Sequence, residues 1–184
     1  MEDPARPLLK ASAGLVIPAA QAFLDGEGAA AIHAEAARLL RDLAGLEDRL
    51  LADPTAAGAA WLATTGHAEA LARSALRLAD LAALRPRGRL VPVLREPLQR
   101  QLEDVRALCG LAAGSASTPP GDAAALLEAV RSARRDVLRD SVTAAGADPR
   151  LVTTCLAVTA AAQRLEEAAE QAAAAAQRAG LALA

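Results

Sequence analysis

Aromatic side chains are nearly missing from this sequence: Phe23 and Trp61 stand alone and there is no tyrosine. Single strands of nucleic acid are held by stacking bases on such rings, and duplexes by excess positive charge. A formal net charge of −2 supplies neither, so nucleic acid is not an expected partner. Lysine is reduced to Lys10, which leaves arginine to carry the positive charge. Cysteine is limited to Cys109 and Cys155, in apolar surroundings and without a CxxC spacing, which reads as two small buried free thiols. His33 and His67 lack a second ligand at metal spacing on the same helical face, and the HxE at His67 is not HExxH. Both read as surface or half-buried helix residues. Phosphate-binding glycine loops and the GxSxG nucleophile elbow are absent, and the segment GSASTPPGD at 114–122 precedes no strand, so it reads as a connection.

Long apolar runs are also lacking. The stretch LVTTCLAVTAAA at 151–162 is too short to cross a bilayer. The N-terminal MEDPARPLLKASAGLVIPAAQAF opens acidic and holds Lys10 and Pro18 inside its apolar part, which makes a poor secretory signal. A soluble, cytoplasmic chain with no stable membrane insertion is the expectation.

What the sequence has in abundance is alanine, more than a quarter of its 184 residues. Alanine buries little area, so 53% hydrophobic residues describes many small side chains rather than a greasy protein. With Leu, Arg and Glu, the other strong helix formers, it predicts an all-α fold. Ile32, Ala36, Leu39, Leu43, Leu46 and Leu50 alternate spacings of four and three, the seam of a helix in a bundle. Trp61, Thr64, Ala68, Leu71, Ala75, Leu78 and Ala82 form the next seam. Leu94, Leu98, Leu102, Val105, Cys109 and Ala112 form a third. Leu126, Val130, Ala133 and Val137, then Leu151, Cys155, Val158, Ala162, Leu165, Ala169 and Ala172, mark two more. Asp53-Pro54 and Asp148-Pro149 pair a capping carboxylate with a proline suited to a first helical position. A further helix from about Pro7 to Leu24 contains Gly14 and Pro18 and is expected to be kinked or split. The last residues, AGLALA, read as a frayed tail.

The reading is an up-and-down bundle of six helices in a single domain, 1–184. One shift superposes Leu39, Leu43, Leu46 and Leu50 on Leu126, Val130, Ala133 and Val137, and also Ala68, Leu71, Ala75, Leu78 and Ala82 on Cys155, Val158, Ala162, Leu165 and Ala169. Two three-helix repeats, 1–84 and 93–184, joined by the Pro- and Gly-containing segment 85–92, are therefore expected.

Candidate chemistry is confined to charged side chains. Asp136 and Asp140 stand one helical turn apart among Arg134, Arg135 and Arg139, as on a solvated, ion-paired face. Glu166, Glu167 and Glu170 predict an acidic stripe on the last helix. Glu170 lies three or four residues from the other two, a spacing that could share a hard metal ion. Asp80 has no such neighbour, because Leu76 and Leu84 occupy the adjacent turns.

The stretches Leu76-Arg77-Leu78-Ala79-Asp80 and Gln163-Arg164-Leu165-Glu166-Glu167, each in the third helix of its repeat, resemble the PhoU family of phosphate-uptake regulators. That family is built of two three-helix repeats whose third helices carry an ExxxD motif holding metal clusters. Here Leu76 and Gln163 stand where the first acid belongs, so the resemblance implies a scaffold for protein partners, a transporter or sensor component, rather than a metal site. The Ala/Leu/Arg-rich helices and their Pro-containing breaks are also similar to the cytosolic helical regions of FUSC-type, fusaric-acid-resistance transporters. On that resemblance the chain would be a detached relative, since those regions are attached to transmembrane helices.

With no convergent acid, base or nucleophile, the expectation is a non-enzymatic interaction or regulatory protein, without a cofactor or metal. Arg77, Asp80, Arg164 and Glu167 are its candidate partner-binding residues. The alternatives are the detached FUSC-type domain, a carboxylate-metal bundle, or an oligomerising bundle, for which the Ala-lined seams leave a homodimer open.

Overall fold

The computed structural model describes residues 3–52, 56–85, 90–114 and 122–182. Among these residues the chain is an all-α, up-and-down bundle of six helices: α1 (Arg6–Asp25), α2 (Ala29–Ala52), α3 (Ala56–Leu84), α4 (Pro92–Ala112), α5 (Asp122–Ala147) and α6 (Val152–Ala182). A 3-10 turn, Pro149–Leu151, leads into α6. The side chain of Asp148 accepts from the Arg150 N–H at 3.0 Å, the capping role expected of it, while Asp53-Pro54 lies outside the described residues.

Helices α1, α2 and α3 pack on one another, as do α4, α5 and α6. The two trios meet through α1 against α4 and α6, and through α3 against α6, so α2 and α5 touch only helices of their own trio among the described residues. The centre is consequently built by α1, α3, α4 and α6. There Phe23, Leu24, Leu78, Leu98, Leu102 and Leu165 close on a space too small for a water molecule. Burying each such side chain stabilises the fold by about 1.5–3 kcal/mol.

Most of the seam positions read from the sequence are buried, while Ile32 on α2, Trp61 and Thr64 on α3 and Leu151 just before α6 are half-buried. Ala68, Leu71, Ala75, Leu78 and Ala82 on α3 are all buried, and so are Cys155, Val158, Ala162, Leu165 and Ala169 on α6. On the outer helices the match is looser: Leu39, Leu43, Leu46 and Leu50 are buried, whereas Leu126 and Ala133 are only half-buried beside buried Val130 and Val137. Much of the α6 core face is alanine, including Ala161, Ala168, Ala172, Ala173 and Ala176, which lets neighbouring backbones approach closely.

Three local expectations need correction. Helix α1 is one continuous helix rather than a split one. Pro18 removes one N–H and crowds the carbonyl four residues back, but that residue is Gly14 and both face solvent, where water can take the freed carbonyl. The expected fray at 179–184 is helical as far as Ala182. Finally, by length and composition α1 could cross a membrane, although more than half of its apolar window is buried in the bundle, as a central helix requires.

Both thiols are free and buried. Burial pushes the Cys109 thiol up to about 12 and moves that of Cys155 in the same direction.

Candidate interaction face

Helices α3 and α6 run antiparallel, so residues equivalent in the two seams meet across their crossing. A groove of about 380 Å³ lies there, lined by Arg77, Asp80 and Leu81 of α3 and by Ala160 and Arg164 of α6. Three of the four candidate partner-binding residues thus line one concavity. The fourth, Glu167, borders it, its carboxylate taking both oxygens' hydrogen bonds from Arg164 Nη1 at 2.8 and 2.6 Å. Arg77 reaches the same carboxylate from the opposite helix at 3.9 Å.

The reciprocal pair, Arg164 with Asp80, forms no ion pair among the described residues. Asp80 instead faces His33 of α2, with Nε2 to Oδ1 at 3.6 Å, both side chains more than half exposed. His33 is therefore a member of this face that the sequence did not reveal. Its contact joins residues far apart in the chain, and no local spacing encodes it. Exposed pairs of this kind contribute about 0–1 kcal/mol each, so the cluster is better suited to meeting a partner than to holding the fold.

The supposed acidic stripe on α6 is divided between two neighbours. Glu167 turns to α3, whereas Glu166 and Glu170 turn to α5. Arg134 meets Glu166 at 2.8 Å, and Arg131 meets Glu170 at 2.9 Å and Glu166 at 3.7 Å. Glu166 is only 16% exposed, so it is a packed inter-helix anchor and not part of a solvated face. The hydrogen bond that Arg131 donates to Glu170 is the main cause that holds its guanidinium more firmly protonated than usual. On α5, Arg139 bridges Asp136 at 3.0 Å and Asp140 at 3.2 Å, as the local spacing suggested, but Arg135 turns away to Glu128.

At the positions where the ExxxD motif places its first acid, Leu76 is half-buried and Gln163 donates to Glu167 Oε1 at 3.3 Å. Among the described residues no three His, Cys, Asp or Glu side chains converge as a metal would need. The acids near this face meet guanidinium, imidazole or amide groups instead.

Beyond the charged centre the surface turns apolar. Leu84 follows Asp80 by one helical turn and Leu156 precedes Ala160 by one, so both continue the rows that line the groove. They are 81% and 67% exposed, unusual for leucine. Val152 on α6, and Leu138 and Val142 on α5, are also exposed.

No family model, no curated protein and no solved structure matches this chain.

Proposed function

We propose that this protein is a non-enzymatic interaction module, a regulatory bundle whose protein partner docks on the α3–α6 face. The observation that carries this reading is the convergence of Arg77, Asp80, Arg164 and Glu167, from two helices remote in sequence, beside exposed Leu84 and Leu156. An apolar anchor beside mixed charge is the composition of a protein-binding surface: the leucines supply buried area and the charges set register. The scaffold reading of the resemblance to phosphate-uptake regulators fits this use of the face, with a transporter or sensor component as the class of partner.

The test is affinity purification with the wild-type chain and with Asp80→Lys/Glu167→Lys, each also checked for helicity and melting temperature. A partner retained by the wild type and lost from a fully folded variant supports the proposal. Retention of every partner by the folded charge-reversed variant overturns it.

A further inference from the structure

At one end of the bundle the start of α1, the first half of α3, the end of α4 and the last turns of α6 surround a cavity of about 450 Å³. That lies within the roughly 300–1,000 Å³ usual for small-molecule sites. Its wall is mostly apolar, with Leu9, Trp61 and four alanines, among them Ala175. Arg6 and Arg178, from opposite ends of the chain, bring guanidinium groups to it, and neither has an ion-pair partner among the described residues.

The Arg6 guanidinium reaches the turn that follows α4, where its Nη2 lies 3.2 Å from the position a β-carbon would take on Gly114. The one acid of the lining, Asp3, has Oδ1 engaged by the Ala5 N–H at 2.9 Å. His67 in the same wall holds Gln171 Oε1 through Nδ1 at 2.9 Å, while its Nε2 is buried with no hydrogen-bond partner. The cavity therefore combines apolar walls with net positive charge.

We propose that this cavity binds a small amphipathic carboxylate, its apolar body against Trp61 and Leu9 and its head group held by Arg6 and Arg178. Two guanidiniums suit a carboxylate, because each can present paired N–H donors to its oxygens. The site is separate from the α3–α6 face and does not depend on it.

Trp61 is the only tryptophan and there is no tyrosine, so intrinsic emission reports on this cavity alone. The probes are octanoate and 1-octanol, which share a chain and differ in charge, titrated below micelle formation against wild-type protein, Arg6→Gln/Arg178→Gln and Ala175→Phe. Thermal shift serves as a second readout should the emission be silent. Octanoate is expected to bind saturably and at least about tenfold more tightly than 1-octanol, about the worth of one charge-assisted contact. The arginine double variant should lose that preference, and Ala175→Phe, which fills the cavity, should lose both ligands. Equal binding of the two probes, a preference unchanged in the double variant, or no saturable change by either readout overturns the proposal.

Discussion

At the end of the bundle where α1 and α3 stop and α4 begins, the chain's one phenylalanine is sealed inside; at the opposite end its one tryptophan borders a cavity. Phe23 is fully buried, with the Arg85 guanidinium 5.7 Å above its ring, and Arg85 is itself only 7% exposed. Burial, and then the neighbouring Arg95, weaken the hold of Arg85 on its proton. Arg95 ties the corner down, donating to the Leu24 carbonyl at 3.0 Å and to Asp25 at 2.9 Å, next to the helix C-terminus where a cation is favoured. The open end has alanines where the closed end has leucines. A composition so rich in alanine fills a bundle only where large side chains are concentrated, and the space left elsewhere becomes available to a ligand.

The sharpest test of that contrast compares the two aromatics. Phe23→Ala should cost about 3–5 kcal/mol, since it leaves a hole beneath Arg85 in a region with no room for water. Trp61→Ala, at a half-buried position against the small cluster of Ala5, Leu46 and Leu50, should cost clearly less. Chemical denaturation of both variants measures the difference, and equal losses would erase the distinction between the ends.

Overpacking should show the same asymmetry with a smaller effect. Ala20 touches the closed centre with Phe23 and Leu98, so Ala20→Leu is expected to destabilise by about 1–3 kcal/mol. Ala175 borders the cavity, where leucine has space to enter, so Ala175→Leu should be close to neutral in the same denaturation series.

Gly26→Ala probes the closed corner directly and should cost about 2 kcal/mol in melting experiments. Its φ of +78° is strained for alanine, and a β-carbon there would lie 2.7 Å from Arg85 Nη2. Gly28, with φ +84° and nothing within 4 Å, carries the strain without the clash, so Gly28→Ala should cost less.

How far the sequence foretold this molecule depends on the range of the interaction. The seams of α3, α4 and α6 were legible because core burial repeats at helical spacing, and Leu78 and Leu165 fall at the fully buried positions their spacing indicates. The Arg77, Asp80, Arg164 and Glu167 cluster was legible as two matching segments, though not as one groove. Its assembly needs the antiparallel crossing of α3 and α6. The His33 contact with Asp80, the turn of Glu166 toward Arg131 and Arg134, and the cavity beside Trp61 were all illegible. Each depends on how one helix is rotated against another, and a heptad pattern leaves that rotation free within the width of its apolar stripe.

The last test asks how deep the open end lets water in. Cys109 lies in the last turns of α4, about one turn before Ala112 of the cavity wall, and burial alone pushes its thiol from 9.0 up to about 12. In the folded chain it stays protonated across that window, whereas in the unfolded chain it ionises above 9.0. Unfolding therefore releases a proton there, and stability falls as pH rises from 9 toward 12, by about 1.4 kcal/mol per pH unit from this group. Denaturation at pH 8 and pH 10 should show the wild type losing about 1.4 kcal/mol more than Cys109→Ala, because the variant lacks the thiol that ionises on unfolding. A variant with the same pH dependence as the wild type would mean that solvent entering through the cavity already reaches Cys109 in the folded bundle.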